Sequence, residues 1–220
     1  MCAQYERKKG YRRYLEEFSM LKLPLKFPEP QHAPNLEPQP VMKPTNPGVV
    51  FRQRGDGVEL VQLRWWLIPA WHHGKLKDFK FPTFNARAEG LASTKSFKEP
   101  FRRRRCLVAA EAWVEWTGKP KQKTKWRIAP RDDQPICFAG LWDRAETADA
   151  GPVESFTIVT QPAGAPLDKV HDRAPVVLRQ EEWMTWLDLE ADVGPLLGPA
   201  SRDLFEVTYV SGPTPSLLPE

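Results

Sequence analysis

The stretch that decides the fold is Cys106-Leu107-Val108-Ala109-Ala110-Glu111-Ala112-Trp113-Val114-Glu115-Trp116. Its apolar and aromatic residues, with few polar interruptions, are typical of a buried strand. A basic turn at residues 118–123 follows, and Trp126-Arg127-Ile128 begins a return strand. The stretch and its continuation therefore predict an antiparallel pair of strands.

Further short strands are predicted on both sides of this pair. Residues 49–51 and 58–66 read as two strands joined by the turn Gly55-Asp56-Gly57. The remaining strands are predicted at residues 136–142, 155–160, 175–178 and 205–210. Many short strands with few helices predict an α+β fold, in one domain spanning residues 1–220, around a curved and largely antiparallel sheet.

Helices are predicted near both ends of the chain. Apolar residues at helical spacing predict a helix at 11–21, and Trp183, Trp186 and Leu187 share one face of a second helix at 181–189. Prolines recur from 24 to 47, which predicts an extended segment without a regular element that wraps the domain surface. Residues 190–220 are expected to form a C-terminal extension containing the last strand.

Composition narrows the class of protein. The 220 residues are 41% hydrophobic and 27% charged, which is typical of a globular protein. No apolar run approaches the roughly 20 residues of a membrane span, and the polar N-terminus lacks a signal sequence. An odd count of three cysteines favours a reducing compartment. We therefore expect a cytoplasmic protein without a membrane partner, and the cysteine and histidine spacing predicts no metal and no cofactor.

Basic and aromatic residues lie close together in the sequence. The net charge is only +4, but Arg102-Arg103-Arg104-Arg105 is a compact cationic run, and four lysines alternate with other residues from 119 to 125. Nine tryptophans are present, several of them near these charges. Basic grooves lined with aromatic rings bind single-stranded nucleic acid. The alternative is that the charges are solvated and the tryptophans belong to the core.

Four residues together offer covalent chemistry at a carbonyl group. Removal of Met1 would give Cys2 a free α-amine beside its thiol, a 1,2-aminothiol that can close a thiazolidine ring on an aldehyde. Asn85 adds a hydrogen-bonding amide, Glu115 a carboxylate between aromatic residues, and His171 an imidazole. A nucleophile, an orienting group and two proton carriers are the parts that such a reaction needs.

Eight short motifs, in order, resemble the SRAP (SOS-response-associated peptidase) family over residues 2–187. They are Met1-Cys2, Trp66-Leu67-Ile68-Pro69-Ala70-Trp71, Asn85-Ala86-Arg87-Ala88-Glu89, Phe101-Arg102-Arg103-Arg104-Arg105-Cys106-Leu107-Val108, Glu115-Trp116, Phe138-Ala139-Gly140-Leu141-Trp142, Phe156-Thr157-Ile158-Val159-Thr160 and His171-Asp172-Arg173-Ala174-Pro175-Val176-Val177-Leu178. The resemblance implies one α+β domain with a barrel-like sheet and a positively charged cleft.

The resemblance also implies a function and a site. Members of the family bind single-stranded DNA or single-strand/double-strand junctions, and link the N-terminal cysteine to the aldehyde of an abasic site as a thiazolidine, after self-processing of the residue before it. Carried over by motif, the catalytic residues are Cys2, Asn85, Glu115 and His171. Arg87 is likewise carried over as a phosphate contact, and the other expected DNA-binding residues are Trp71, Trp116, Arg173 and the cationic run Arg102, Arg103, Arg104 and Arg105. We expect a monomer whose partner is abasic single-stranded DNA.

The chain departs from the family pattern near the reactive end. Met1-Cys2-Ala3-Gln4 stands where Met-Cys-Gly-Arg is usual, and Trp66 replaces the glycine of Trp-Gly-Leu-Ile-Pro. The family's Tyr-Asn-x-Ala-Pro is reduced to Pro44-Thr45-Asn46-Pro47. Two alternatives stay open at this point. One is an amidohydrolase with an N-terminal nucleophile, and the other is a non-catalytic single-strand binding module.

Overall fold

The computed structural model describes residues 2–19, 25–26, 36–132, 134–199 and 204–213. The helices are α1 (Tyr11–Ser19), α2 (Lys98–Arg103) and α3 (Trp183–Leu187). The strands are β1 (Tyr5–Arg7), β2 (Leu25–Lys26), β3 (Gln39–Met42), β4 (Pro47–Arg54), β5 (Gly57–Trp65), β6 (Asn85–Arg87), β7 (Arg105–Ala110), β8 (Ala112–Thr117), β9 (Thr124–Pro130), β10 (Ile136–Thr147), β11 (Gly151–Pro162), β12 (Arg173–Pro175), β13 (Val177–Arg179) and β14 (Phe205–Ser211). Short 3₁₀ helices lie at Leu76–Asp78, Ala88–Gly90, Leu167–Lys169, Gln180–Glu182 and Gly194–Leu197.

A closed barrel of five strands forms the centre of the fold. The strands β11, β10, β7, β4 and β5 pair in that order, each antiparallel to the next. A parallel pairing of β5 with β11, at Arg64–Ser155 and Trp65–Phe156, closes the ring. Short strands β2, β6, β12 and β13 are added to it. The predicted α+β fold with a curved, largely antiparallel sheet is confirmed.

A second sheet holds the N-terminal strand in its interior. Its order is β14-β9-β8-β1-β3, so β1 is paired on both sides. The predicted single strand at 106–116 is wrong, because the chain divides it between β7 in the barrel and β8 in this sheet. The division falls at Glu111, whose N–H donates to the carbonyl of Glu6. Both halves are mostly buried, so the amino-acid composition is similar on the two sides of the bend and gives no sign of it.

Side chains alternate between two cores. Val49 and Phe51 of β4 belong to one apolar cluster, and Val50 between them belongs to the other. The first cluster is covered by helices, with the Phe18 ring of α1 4.4 Å from Phe51 and 5.1 Å from Trp183 of α3. The second includes Cys2 and the inner face of the second sheet. This alternation is the two-residue period of a strand buried on both faces.

The proline-rich segment is more regular than predicted. Within its described part, β2 and β3 are strands, and β4 begins at Pro47. Pro40 is tolerated because β3 is at the edge of its sheet, where one side of the strand needs no hydrogen-bond donor. Residues 24 and 27–35 of this segment, and positions 20 and 21 of the predicted first helix, lie outside the described residues.

Other predicted elements are present with altered bounds. The strands β10 and β11 each extend to twelve residues. The predicted strand at 175–178 is two short strands, β12 and β13, on different neighbours. The last strand, β14, pairs with β9 and so completes the second sheet. The longest helix in the described parts of the chain is α1, whose nine residues are too few to cross a membrane.

Candidate functional site

Cys2 lies in a buried pocket at the start of the N-terminal strand. Its side chain has no exposed surface and packs in the same cluster as Tyr5, Leu167 and Ala174. The Sγ atom donates to the carbonyl of Gln4 at 3.7 Å. Burial raises the pKa of the Cys2 thiol well above its usual range, and the negative charge of Glu115 raises it further. The resting thiol is therefore protonated and needs a base to become a nucleophile.

Asn85 holds the backbone of Cys2 from the barrel. It begins β6, which runs parallel to β11 with Asn85 beside Ile158. Its Nδ2 donates to the Cys2 carbonyl at 2.7 Å. Its Oδ1 is buried and accepts no hydrogen bond from the described residues. A buried amide oxygen without a donor is costly, so this atom is suited to an amine or hydroxyl that arrives with a substrate.

Glu115 reaches the same place from β8. The pairing of β1 with β8 places Tyr5 opposite Trp113, and the N–H of Val114 donates to the Gln4 carbonyl at 2.9 Å. Continued by one residue, this register brings Glu115 to the Cys2 end of the strand. Burial raises the pKa of Glu115 to about 7, with a smaller contribution from the charge of Asp172. A carboxyl group with this pKa can both give and accept a proton at neutral pH.

His171 closes the group from the loop before β12. Its N–H donates to the carbonyl of Leu167 at 2.9 Å, which fixes the loop. Its Nδ1 accepts from the Arg173 N–H at 2.9 Å and lies 2.8 Å from a carboxylate oxygen of Asp172. Burial lowers the pKa of His171, which favours the neutral form of the ring. Once protonated at Nδ1, the ring would find an acceptor in Asp172.

The structure thus brings Cys2, Asn85, Glu115 and His171 together from four separate segments. Asp172 joins them, since its charge acts on both Glu115 and His171. Sequence reasoning gave Asp172 no role, although it is the second residue of the His-Asp-Arg motif. Gln4 is buried where the family pattern has arginine, and its carbonyl serves the hydrogen bonds of the N-terminal strand.

A cavity of about 680 Å³ opens beside Asn85 and contains two predicted DNA-binding cations. Arg87 is exposed at its edge. Arg173 is largely buried, and its guanidinium donates to both carboxylate oxygens of Glu89 and to the Thr160 carbonyl. This pairing lowers the pKa of Glu89 to about 2. Arg87 is therefore available to a phosphate, whereas Arg173 is already engaged.

The four consecutive arginines do not form one surface. Arg102 and Arg103 are exposed and form ion pairs with Glu99 at 3.4 Å. Arg104 pairs with Asp143 at 3.2 Å. Arg105 begins β7 and is only 5% exposed; it donates to the Asp188 carbonyl, with its guanidinium 5.6 Å from the Trp186 ring centre. Two of the four are thus free to meet solvent, and Arg105 belongs to the core.

The predicted tryptophans lie in different surroundings. Trp71 is 36% exposed, and Lys95 Nζ lies 4.7 Å from its ring centre. Phe79 and Phe81 contact Trp71 at 6.3 and 6.1 Å between ring centres, and Phe81 is 59% exposed. Trp116 is half-buried near the end of β8. The exposed rings of Trp71 and Phe81, with Lys95, form an aromatic platform. Phe81 was not among the residues predicted from the sequence to bind DNA.

Comparison with known proteins identifies relatives that match most of the chain. The chain is 29% identical over 216 residues to "Abasic site processing protein YoqW" of Bacillus subtilis, covering 96% of this chain and 92% of that protein. It is 29% identical over 162 residues to "Abasic site processing protein YedK" of Escherichia coli, covering 70% and 68%. A crystal structure of a protein from Bacteroides thetaiotaomicron shares the fold, with a TM-score of 0.81 and 23% identity over 96% of this chain and 92% of that one.

The family profile described as SOS response associated peptidase (SRAP) matches residues 1–213. This match includes Cys2 and the strand β1 that follows it, β6, β8 and the loop with His171. The resemblance drawn from the eight motifs is confirmed, and the chain belongs to the SRAP family.

Proposed function

We propose that this protein binds single-stranded DNA and captures abasic sites covalently through Cys2, once Met1 has been removed by self-processing. The observation that carries the proposal is the hydrogen bond from Asn85 to the Cys2 carbonyl, next to a carboxyl group whose pKa is about 7. Similar proteins carry the name abasic site processing protein, which supports the same substrate.

The reaction can be written without any redox step. Opening of the closed abasic sugar moves a proton from its C1′ hydroxyl to the ring oxygen and gives an aldehyde. The α-amine of Cys2 adds to the aldehyde carbon, and loss of one water gives an imine. The thiol then adds across the carbon–nitrogen double bond, sulfur to carbon and proton to nitrogen. The product is a thiazolidine, and water is the only molecule released.

Each residue of the site has a task in this sequence. Glu115, poised between its two protonation states at pH 7, would transfer the proton during sugar opening. Neutral His171 would carry protons during imine formation and ring closure, with Asp172 able to accept from its Nδ1. The Oδ1 atom of Asn85 would accept from the amine or the sugar. The protonated Cys2 thiol then matches its position as the second nucleophile rather than the first.

The DNA side of the proposal depends on surfaces around this pocket. Arg87 would hold a phosphate at the cavity edge, with Arg102 and Arg103 adding diffuse attraction. Trp71 and Phe81 offer faces on which unpaired bases can stack, and Trp116 would stack beside the gap. Arg104, Arg105 and Arg173 are engaged within the protein, so we assign them weaker roles. We infer a monomer acting on single strands or strand junctions in the cytoplasm.

A denaturing gel tests the proposal. The protein is mixed with a single strand that carries one abasic site, and with the same strand without it. We expect a covalent band only with the abasic strand, an intact mass lacking Met1, no band for Cys2→Ala, and a normal band for Cys137→Ala, which removes another buried thiol. Retention on a native gel without a covalent band would instead indicate a non-catalytic binding module. Amide turnover without either would indicate an amidohydrolase.

A further inference from the structure

Trp66 occupies a backbone conformation that tryptophan rarely adopts. Its φ is +119°, in the region that favours glycine because a Cβ atom crowds the backbone there. It directly follows β5, at the seam where the barrel closes, and its N–H donates to the Phe156 carbonyl at 3.0 Å. Strained backbone persists where the surroundings hold it in place, and such positions cluster at functional sites.

The indole of Trp66 is tied to the segment that leads into Asn85. Its Nε1 donates to the Phe81 carbonyl at 2.8 Å. Its ring meets the Phe84 ring edge to face, with centres 5.3 Å apart. Phe84 immediately precedes Asn85, so the indole contacts both ends of the four-residue approach to the site. The bulky side chain therefore has a structural partner that a glycine would lack.

Neighbouring contacts make this segment stiff along its whole length. Trp65 Nε1 donates to the Phe84 carbonyl at 2.8 Å, and the Thr83 hydroxyl donates to the Leu67 carbonyl at 2.6 Å. Residues on both sides of Trp66 thus bind the same segment. Asn85 then reaches Cys2 from its end. A shift of the segment would carry the Asn85 amide away from the Cys2 carbonyl.

We propose that Trp66 is a positioning residue: its strained backbone and its indole contacts with Phe81 and Phe84 set the Asn85 amide against the N-terminal cysteine. The proposal rests on the proposed function for its catalytic consequence. The indole contacts explain why this chain tolerates tryptophan at a φ that favours glycine. Trp66 itself touches none of the reacting atoms and acts through Asn85.

Three substitutions separate the indole contacts from the backbone strain. Trp66→Phe keeps a ring beside Phe84 but removes the donor to the Phe81 carbonyl. Trp66→Ala removes both contacts and keeps the strain, while Trp66→Gly removes both and relieves it. Trp142→Phe is the matched control. Trp142 of β10 is also half-buried, but its ring packs under Arg52 of β4. We expect Trp66→Gly to unfold at a higher temperature than Trp66→Ala.

The decisive measurement is a double-mutant cycle with Asn85→Ala, using single-turnover crosslinking at saturating DNA. We expect Trp66→Phe to crosslink about tenfold or more slowly, since small misplacements of reacting groups are costly. Its affinity for the intact strand should stay at the parent value, as should both readouts in Trp142→Phe. Adding Trp66→Phe to Asn85→Ala should slow the reaction no further, because the two residues act as one unit. A normal rate in Trp66→Phe, or additive losses, would overturn the proposal.

A second readout does not need the proposed function. The rate of iodoacetamide labelling at Cys2 is followed by mass spectrometry of the N-terminal peptide. We expect faster labelling in Trp66→Phe and in Asn85→Ala, and no further increase in the double variant. If the parent fails to crosslink but labelling shows this pattern, the proposed function is wrong and the positioning role stands. If labelling is also unchanged by Trp66→Phe, the positioning role is wrong.

Discussion

The side chain of Asn85 donates a hydrogen bond of 2.7 Å to the carbonyl of Cys2, a residue 83 positions earlier in the chain. This contact joins the two sheets at the point where the chemistry is proposed, since Asn85 belongs to the barrel and Cys2 leads into the second sheet. It holds the cysteine by its backbone and leaves the thiol and the α-amine for reaction.

The two proton carriers should be separable by substrate. Glu115→Gln and His171→Gln are each expected to slow crosslinking by about 10²-fold where the lost proton transfer limits the rate. A substrate already opened to the aldehyde should rescue Glu115→Gln more than His171→Gln, because imine formation and ring closure still need a proton shuttle. Single-turnover rates against pH on closed and opened substrates check this. Parent rates in both variants would make these residues structural.

The raised pKa of Glu115 predicts a pH-dependent stability. A carboxyl group with a folded pKa of about 7 binds its proton more tightly in the folded chain than in the unfolded one. The protonated carboxyl group therefore stabilises the fold fully below about pH 4.5. This stabilisation, about 3 kcal/mol in the free energy of unfolding, is lost as pH rises through 7. The free energy of unfolding of Glu115→Gln, relative to the parent, should therefore rise by about 3 kcal/mol between pH 4.5 and pH 8.

Urea unfolding of both proteins at the two pH values measures this difference. Glu146→Gln is the control, because that carboxylate is exposed and pairs with Arg144 on the surface. Its stability relative to the parent should be the same at both values. A Glu115→Gln protein whose relative stability does not change with pH would contradict the burial of the charge.

The aromatic platform should contribute affinity without affecting the chemical step. Phe81→Ala and Trp71→Ala each remove an exposed ring, and a stacked base is worth about 1–3 kcal/mol. We expect each to weaken binding of an intact single strand by about 5- to 100-fold, while the crosslinking rate at saturating DNA stays at the parent value. Tyr209→Ala is the control: Tyr209 lies on β14 and its side chain is as exposed as that of Trp71, so its removal should leave the affinity for single-stranded DNA unchanged. Equal losses in all three would mean that the effect is not local.

The same substitution at two neighbouring arginines should affect different properties, DNA binding at Arg103 and stability at Arg105. Arg103→Ala should reduce the salt dependence of single-strand binding by about 0.7 in the log–log slope, with little effect on stability. Arg105→Ala should leave the slope unchanged and lower the free energy of unfolding by about 1–3 kcal/mol, because the buried side chain loses its hydrogen bond to the Asp188 carbonyl and its packing on Trp186.

Arg87→Ala should weaken binding more than Arg103→Ala, since Arg87 lies at the edge of the cavity beside Asn85. Salt titrations of the three variants and the parent, with urea unfolding of each, check both expectations. A slope change for Arg105→Ala equal to that for Arg103→Ala would show that the buried arginine reaches the DNA.

The sequence predicted the fold class better than it predicted the bounds of individual strands. The apolar residues at 49–51 and 58–66, with the turn Gly55-Asp56-Gly57 between them, identify β4 and β5, because those signals are local. Nothing in residues 106–116 marks the change of sheet at Glu111, since the buried environment continues on both sides. Four identical arginines likewise gave no sign that Arg105 is the first residue of a buried strand, because burial depends on partners distant in sequence.

The same distinction holds within the site. Cys2, Asn85, Glu115 and His171 could be named from motifs, because their chemistry is visible in the residue type. The role proposed for Trp66 could not be named, although its position at a family glycine was visible in the sequence. Its φ of +119° and its bonds to Phe81 and Phe156 arise only when the barrel closes.

The interior position of β1 also sets an order of assembly for the pocket around Cys2. β1 pairs with β3 and β8, and β8 is completed only at Thr117, with His171 further along the chain. During synthesis, the segment that holds Cys2 therefore leaves the ribosome before the strands and the loop that surround it. Under the proposed function, aldehydes met during that interval would find no assembled trap.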